Sequence, residues 1–288
     1  MASMRDIKRR KSSIQGTQQI TKAMKLVSTV KLQRARANAE RSKDYFTCMY
    51  NTVNSILKRV GHIEHKYLVP GASEKKAVIV ITSNRGLAGG YNSNVIKLIT
   101  RHPEWKKEDL CIYCLGNKGR DALMRYGYQV KDCGGEIVEE PAYADAMKLA
   151  KELLSAFAAG EFGEIYLAYT AFKNTVSHVP TLLRLLPVEI SDEGEEEKTE
   201  EVSAIMNFEP KDEEALDLII PKYVTSLIYG ALKEALASEN GARMQAMDNA
   251  TSNAEEMISD LALKYNRARQ GSITQELTEI IAGAEALG

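Results

Sequence analysis

The apolar residues near the C-terminal end of the chain follow one regular pattern. Between Met244 and Ser272, apolar and small residues recur at alternating intervals of three and four, which is the spacing of a coiled-coil seam. The members of the seam are Met244, Met247, Thr251, Ala254, Ile258, Leu261, Tyr265, Ala268 and Ser272. After the seam, the stripe moves on by one residue, as a straight helix drifts against a strict heptad. The shifted positions are Ile273, Leu277, Ile280 and Ala284. We predict one long helix over residues 212–287, with a kink or a restart at Pro221.

The first sixty residues show a second helical pattern, with a thinner apolar stripe. Residues 2–60 contain no Pro and are rich in Lys, Arg, Gln, Ala and Met, all of which favour helix. The apolar stripe comprises Ile7, Ile14, Ile20, Met24, Val27, Val30 and Ala37. The pattern predicts a single long helix, with Gly16 as the one place where it could be interrupted.

The middle of the chain alternates apolar runs of strand length with helical stretches. Strands are predicted at residues 77–83, 110–115, 165–169 and 181–186, and helices near 93–101, 118–126 and 143–159. Strands that are apolar on both faces and alternate with helices are typical of a parallel α/β unit. Seven carboxylates within residues 192–201 indicate a solvated loop.

These patterns together predict an α/β protein made of a long antiparallel coiled coil and an inserted Rossmann-like domain. The predicted domains are residues 1–70, the first coiled-coil helix; 71–210, the α/β domain or foot; and 211–288, the second coiled-coil helix. Two helices that flank one compact domain can pair only in the antiparallel sense, because the exit of the first lies near the entry of the second.

The two predicted helices differ in length, and the difference predicts an unpaired tip. At ~1.5 Å per residue the first helix is roughly 87 Å long and the second roughly 114 Å, so the second should overhang by roughly 25 Å, from about Gln270. The overhang carries Ile273, Leu277, Ile280 and Ile281, and each apolar side chain left in water forfeits about 1.5–3 kcal/mol of burial. We expect another protein to sheathe this tip, and geometry alone leaves a frayed end as the alternative.

The charge is distributed unevenly, although the net charge is only −1. Residues 1–70 carry 15 Lys and Arg against 4 Asp and Glu, whereas residues 71–210 and 211–288 each carry a net charge of −6. A basic first quarter and an acidic last quarter favour pairing with each other or with charged partners. No apolar run approaches the ~18 residues of a membrane span, and the basic start leads into no secretory signal. Four cysteines without such a signal indicate a reducing compartment.

No set of residues points to catalysis, a cofactor or a metal. Gly86-x-x-Gly89-Gly90 follows a strand but matches no phosphate-loop pattern, so a structural turn is favoured over nucleotide binding. Cys111 and Cys114 lie in one predicted strand and should point to opposite faces, which favours buried thiols over metal ligands. His62 and His65 are expected to be a solvated pair. The basic first helix could bind nucleic acid, but it has no aromatic residue before Tyr45 and its charges lie on several faces.

Several segments of the chain nevertheless resemble one family. Ile7-Lys-Arg-Arg-Lys-Ser-Ser-Ile14 and the segment from Thr17 to Val27 look like the N-terminal helix of the gamma subunit of F-type ATP synthases. The segments that resemble its central turn, the stretch before its last helix and that helix itself are Ser83–Asn92, Phe208–Pro210, Ala242–Thr251 and Tyr265–Ile280. Departures are small, such as Asn84 where the family often has Asp and Gly271 where it often has Ala.

The resemblance implies a non-catalytic rotor shaft of the bacterial type. Its coiled coil would stand inside a ring of alpha and beta subunits, and its foot would contact the epsilon subunit and the membrane-embedded c-ring. The complex would lie on the cytoplasmic side of the cell membrane and couple proton or sodium flow to ATP synthesis, without a cofactor in this chain. The patterns alone also leave open an α/β enzyme with coiled-coil arms and a nucleic-acid-binding protein.

The resemblance also implies candidate contact residues. Met24 and Arg243 would touch the catalytic subunits, and Arg269, Gln270, Thr274 and Glu276 would lie in the upper contact with the alpha/beta ring. An ordinary helix surface, with Gln270 and Thr274 paired one turn apart, is the alternative for these residues. Tyr91, Phe208 and Glu209 are weaker candidates for contacts of the foot.

Overall fold

The computed structural model describes residues 4–60, 65–188 and 212–285. The chain divides into two compact units, of which the first comprises Met1–Thr29 and Arg243–Gly288 and the second Val30–Ala242. Below, the first is called the helix pair and the second the α/β unit. The acidic run 192–201, predicted to be a loop, lies outside the described residues.

Two long helices account for both ends of the described chain. Helix α1 spans Met4–Val60 without a break at Gly16, and helix α6 spans Asp212–Glu285. α6 does not restart at Pro221, which lies inside it. A proline inside a helix removes one backbone hydrogen bond and costs about 3 kcal/mol. Burial of Ile220, Val224 and Ile228 on either side of the proline offsets that cost.

In the helix pair, α1 and α6 run antiparallel. Three polar contacts fix the register: Gln18 to Glu255, Thr21 to Thr251 and Lys25 to Asp248. The residue numbers of each pair add up to 272 or 273, and a constant sum is the mark of an antiparallel alignment. This register places Met4 opposite Arg269, so α6 continues past the described start of α1 from about Gln270, as the lengths predict.

The buried face of α6 confirms the predicted seam, whereas the predicted stripe of α1 is partly wrong. All nine seam residues from Met244 to Ser272 are buried or half-buried. In α1, Ile7, Ile14 and Met24 are half-buried, but Ile20, Val27, Val30 and Ala37 are exposed. The buried face instead repeats every seven residues, through Ile7, Ile14, Thr21, Ser28 and Ala35. Because Thr21 and Ser28 are polar, a search for apolar residues follows the wrong face.

The α/β unit contains a five-stranded sheet in the order β3-β2-β1-β4-β5. The strands are β1 (Lys76–Ile81), β2 (Leu110–Leu115), β3 (Gln129–Asp132), β4 (Glu164–Phe172) and β5 (His178–Leu186). The helices are α2 (Tyr91–Thr100), α3 (Asn117–Arg125), α4 (Glu136–Glu139) and α5 (Tyr143–Ala158), with a 3-10 turn at Lys107–Asp109. Strands β1 to β4 pair in parallel, and β5 pairs antiparallel with β4.

Each face of this sheet is buried in its own apolar cluster. One cluster joins alternate residues of the strands, such as Ile79 and Leu167, to α5 and to the part of α6 between Leu216 and Ala235. The other joins Val78 and Val80 to apolar residues of α2 and α3. Burial on both faces explains why the central strands are continuous apolar runs.

The sequence-based prediction missed two elements and one strand direction. β3 was not predicted because its sequence, Gln-Val-Lys-Asp, has one apolar residue and lies at the edge of the sheet. The four-residue α4 is too short for a periodic signal. β5 is antiparallel, not parallel, because only five residues separate it from β4 and a parallel crossover needs a dozen or more.

Candidate functional site

The contact between α1 and α6 has a polar centre. The hydroxyls of Thr21 and Thr251 lie 2.8 Å apart and are buried. Each hydroxyl can also donate within its own helix, Thr21 to the Gln18 carbonyl at 3.0 Å and Thr251 to the Met247 carbonyl at 2.8 Å. Two hydroxyl protons serve three hydrogen bonds, so one donates across the pair while the other donates to its own helix.

Charged contacts on either side of this centre join the same two helices. Lys25 Nζ lies 2.6 Å from Asp248 Oδ1, and Gln18 Nε2 donates to Glu255 Oε1 at 3.0 Å. Exposed pairs of this kind contribute less than about 1 kcal/mol each. The helix pair is therefore held in a defined register by polar contacts that lie within and beside the buried seam.

An apolar patch on α1 faces away from the seam. Ile20, Leu26 and Val27 are 63%, 62% and 58% exposed, although each is large and apolar. Met24 is half-buried and lies one turn from both Ile20 and Val27 on the helix surface. Residues 7–39 contain nine Lys and Arg and no Asp or Glu. The patch therefore lies in a stretch of α1 that carries basic residues and no acidic one. The sequence alone does not single out this patch, because the seven-residue repeat that its residues do not fit is known only from the buried face.

The tip of α6 exposes a second group of apolar side chains. Ile273, Leu277, Ile280 and Ile281 are between 46% and 67% exposed. The predicted overhang and its unburied apolar residues are therefore both present in the described part of the chain.

The predicted ring-contact residues lie on these same helices. Arg269, Gln270, Thr274 and Glu276 are all exposed on the tip of α6, and Arg243 is half-buried. Thr274 Oγ1 donates to the Gln270 carbonyl at 2.9 Å, and Ser272 Oγ donates to Glu276 at 3.4 Å. The side-chain amide of Gln270 is not used in the Thr274 bond, so the four residues share an exposed surface rather than a closed network.

The predicted foot residues are placed differently. Tyr91 is buried in the α/β unit, and its hydroxyl donates to the carbonyl of Ala235 on α6 at 3.2 Å. That bond gives Tyr91 a structural contact within this chain, and its predicted contact with a partner stays a prediction. Phe208 and Glu209 lie outside the described residues.

The loop after β1 fills the place where a nucleotide phosphate could bind at the start of α3. The first three N–H groups of α3 donate to atoms of the loop after β1: Asn117 to Asn84 Oδ1, Lys118 to the Ser83 carbonyl and Gly119 to Thr82 Oγ1. Free N–H groups at a helix start are what binds a phosphate. Here the chain itself satisfies them.

The side chain of Asn84 is held on both sides. Its amide nitrogen donates to the Gly135 carbonyl at 2.7 Å and to Glu139 at 3.1 Å. A Cβ at Gly135 would lie 2.5 Å from Asn84 Oδ1, so only glycine permits this approach. The sequence did not predict that Asn84 occupies the start of α3 and accepts a hydrogen bond from its first N–H group.

The two cysteines of β2 lie on opposite faces of the sheet, as predicted, but only Cys114 is buried and Cys111 is half-buried. Cys111 packs against the cluster that contains α6, and Cys114 lies in the cluster that contains α2. Burial raises the pKa of Cys114 to about 12 and that of Cys133 to about 11. These thiols stay protonated at neutral pH and are poor metal ligands or nucleophiles. Among the described residues, no group of three or more His, Cys, Asp and Glu could hold a metal.

The prediction that His65 is solvated is wrong. His65 is buried, and its Nε2 lies 3.2 Å from Asp217 Oδ1 on α6. Lys66 binds the same carboxylate at 2.9 Å, and this hydrogen bond lowers the pKa of Asp217 below its ordinary value. The pair of adjacent residues thus joins the segment after α1 to α6. His62 lies outside the described residues.

Comparisons with known proteins agree with the arrangement of the helices and the sheet. A model of the ATP synthase family matches residues 3–287. An ATP synthase gamma chain of Lachnoclostridium phytofermentans is 64% identical over the full length of both chains. A sodium ion specific ATP synthase gamma chain of Acetobacterium woodii is 39% identical over 99% of both.

A solved structure shares the fold at low sequence identity. A chain in the mitochondrial ATP synthase of Euglena gracilis, described as OSCP/F1/c-ring in rotational state 3, matches with a TM-score of 0.66 and 17% identity. The match covers 99% of this chain and 94% of that one. No helix in the described ranges has a stretch long and apolar enough to cross a bilayer. Because the family match and the relatives extend over nearly the whole sequence, this chain belongs to the ATP synthase gamma chain family.

Proposed function

We propose that this chain is the central rotor shaft of the F1 sector of a membrane ATP synthase. As a gamma chain it is a non-catalytic subunit. The observation that carries the proposal is the helix pair, whose tip and whose outer α1 face expose large apolar side chains. A helix pair that leaves such residues in water is suited to a surrounding protein sleeve.

Met24 and Arg243 are proposed to contact the catalytic subunits. The apolar patch around Met24 lies in a stretch of α1 that has nine basic residues and no acidic one. A partner surface that is apolar and acidic would complement it in both shape and charge. Arg243, which lies on the other helix of the pair, would extend the positive charge of this surface.

Arg269, Gln270, Thr274 and Glu276 are proposed to contact the upper part of the alpha/beta ring. They lie together on α6 at and beyond the described start of α1, next to the exposed Ile273. Their polar groups are exposed, so several weak contacts can form and break as the shaft turns. A few strong bonds would instead hold the shaft in one orientation.

The α/β domain of residues 71–210, which is the central part of the α/β unit, is proposed to be the foot of the rotor. In the proposed division, residues 71–210 form the foot and residues 1–70 and 211–288 the shaft. Its partners would be the epsilon subunit and the c-ring, with Tyr91, Phe208 and Glu209 as the weaker contact candidates. The assembly would be peripheral, on the cytoplasmic side of the cell membrane, and driven by protons or sodium ions.

The proposed mechanism follows from the lack of three-fold symmetry in a two-helix shaft. Three chemically identical catalytic subunits around such a shaft meet different surfaces, such as the apolar patch of α1 or the exposed polar residues of α6. A contact that differs between conformations shifts the equilibrium of a site by the difference in its free energy. Rotation would therefore carry each site through the same sequence of conformations in turn.

Copurification tests the assembly, and charge reversal tests the contacts. A tagged chain pulled from detergent-solubilised membranes should bring the alpha, beta and epsilon subunits with it.

Arg269→Glu should lower coupled ATP synthesis while the circular dichroism of the full chain is unchanged, because Arg269 is exposed. Lys148→Glu, an equal charge reversal at an exposed position of α5, is the matched control and should leave coupling intact.

Two results would contradict the proposal. Recovery of the chain without any ATPase subunit would contradict its place in the complex. A loss of helical signal in Arg269→Glu in proportion to the loss of coupling would make the residue structural and remove it from the contact.

A further inference from the structure

A cavity with a volume of about 370 Å³ opens between α5 and the early part of α6. All its lining residues belong to the α/β unit. Its inner surface includes the buried residues Tyr67, Leu154 and Thr225, and its rim includes the exposed residues Tyr143 and Met147. The volume falls in the ~300–1,000 Å³ range of small-molecule sites.

Two lysines make this cavity different from a gap in packing. Lys151 on α5 and Lys222 on α6 both line it. Neither ammonium group has a carboxylate partner among the residues that the structure describes. Three other lysines of the α/β unit do have such a partner: Lys66 pairs with Asp217, Lys76 with Glu164 and Lys131 with Glu152. In the part of the chain that the structure describes, the lining contains no Asp or Glu.

The aromatic part of the lining is held in place by its neighbours. The ring of Tyr143 makes an edge contact with Tyr229, with centroids 5.6 Å apart, and Lys233 lies 5.0 Å from the centre of the Tyr229 ring. Tyr67 contacts Phe157 in the core, with centroids 6.4 Å apart. A ligand would therefore meet rings whose positions are already fixed, which reduces the entropy that binding costs.

We propose that this cavity is a binding site for a small organic anion with an apolar body of one or two rings. The apolar body would contact Tyr67, Tyr143 and Met147, and the anionic group would lie between Lys151 and Lys222. A site with an apolar lining and a few charged groups is the common form of a small-molecule site. The inference does not depend on the rotor function, since it rests on residues of the α/β unit alone.

The test follows the methyl group of Met147 in the full chain. The chain is labelled with [methyl-13C]methionine, and the Met147 signal is assigned from its loss in Met147→Leu. The probe is naphthalene-2-carboxylate, and naphthalene-2-carboxamide is its neutral control. We expect a saturable shift of the Met147 signal by the carboxylate, with a Kd on the order of 1 mM for a probe of this size.

Charge variants distinguish a site that binds anions from an apolar surface that binds a ligand regardless of its charge. In Lys151→Gln/Lys222→Gln the carboxylate should bind at least about threefold more weakly, while the carboxamide should be unaffected. Lys148→Gln, which removes an exposed charge of α5 outside the cavity lining, is the matched control and should bind like the unmodified chain. Ala158→Trp, which would fill the cavity, should abolish the shift.

The proposal is overturned by any of three results. The first is a Met147 signal that does not respond to the carboxylate. The second is equal binding of carboxylate and carboxamide to the unmodified chain. The third is an equal loss of affinity in Lys148→Gln and in the double variant. A pull-down that recovers no ATPase subunits would contradict the proposed rotor function, but it would not contradict the proposed binding site.

Discussion

The helix pair and the α/β unit bury different kinds of side chain, although the two long helices run through both. The centre of the α/β unit consists of Ile, Val and Leu residues that are fully buried, such as Ile79 and Leu167. The helix pair buries a hydroxyl pair, Thr21 and Thr251, within a seam of small and apolar residues, while several large apolar residues of both helices are exposed to water. The α/β unit thus has its own core, whereas the helix pair leaves its apolar surface for a partner.

The largest expected difference comes from removing the same side chain in the two units. Leu167→Ala, in the sheet, should lower the free energy of unfolding by about 2–5 kcal/mol, because Leu167 is fully buried. Leu277→Ala, at the tip of α6, should change it by less than about 0.5 kcal/mol, because that residue is 54% exposed. Urea unfolding of the full chain, followed by circular dichroism, measures both.

The same pair of variants should behave in the opposite way in the assembled enzyme. Leu277→Ala should weaken coupling if a sleeve covers the tip, and full coupling would show that the exposed leucine is not used. An equal loss of stability in both variants would mean that the tip is buried against this chain and would remove the contrast between the units.

The second comparison replaces a glycine in each unit and expects opposite signs. A Cβ at Gly119 would lie 2.6 Å from Thr82 Oγ1 and 3.1 Å from Cys114 Sγ. Gly119→Ala should therefore destabilise the chain by about 1–3 kcal/mol through overpacking. A Cβ at Gly16 would have nothing within 4 Å, so Gly16→Ala should stabilise α1 by about 0.5–1 kcal/mol.

Thermal unfolding of the two glycine variants checks the signs. A destabilising Gly16→Ala would show that the backbone of α1 at this point is not that of a regular helix. A neutral Gly119→Ala would show that α3 can move away from β1 at little cost, which the three hydrogen bonds at its N-terminus argue against.

In both units, the sequence predicted the elements whose own residues carry a regular pattern. It did not predict the features that depend on contacts with another part of the chain. The seam of α6 was found because its apolar and small residues keep one spacing from Met244 to Ser272. The seam of α1 was misread because Thr21 and Ser28 are buried and polar, and only the contact with α6 shows that they face inward. The central strands were found from their apolar runs. The edge strand β3 was not, because its position depends on pairing with β2 rather than on its own residues.

The candidate contact residues depended on resemblance more than on pattern. Arg269 and Glu276 are exposed, as a contact requires, but exposure alone does not distinguish them from other polar residues of α6. The apolar patch of Ile20, Leu26 and Val27 could be recognised only after the buried face was known. Likewise the link from His65 to Asp217 spans 152 positions, which no local pattern reveals.

A double-mutant cycle tests whether the hydroxyl pair stabilises the helix pair. Thr21→Val and Thr251→Val each remove the bond between the helices and should each cost about 1 kcal/mol, since the remaining hydroxyl can still donate within its own helix. The double variant should cost no more than either single one, so the coupling energy should be about 1 kcal/mol. The helical signal during urea unfolding provides the measurement.

Thr278→Val is the matched control for this cycle. Thr278 donates to the Thr274 carbonyl at 2.8 Å in the same way, but it lies on the exposed tip of α6. Its replacement should have almost no effect. Additive costs in the double variant would show that the two hydroxyls stabilise their own helices independently and do not set the register.

The smallest expected effect is a pH dependence confined to the α/β unit. His178, at the start of β5, contacts Phe172, and its Nε2 is buried beside Gly241 of α6, where a Cβ would lie only 2.4 Å away. Burial lowers the pKa of His178 below its ordinary value of 6.5. The unfolded chain therefore binds a proton at a higher pH than the folded one, and His178 contributes stability above pH 6.5 that is lost as the pH falls.

In His178→Phe, unfolding midpoints measured between pH 7.5 and pH 5 should fall less steeply than in the unmodified chain. Replacing the half-buried His102, whose ring stacks on Trp105, by Phe is the matched control. If His178→Phe keeps the same slope as the unmodified chain, the ring of His178 is not a buried neutral group. The contact between β5 and α6 would then be looser than the core around it.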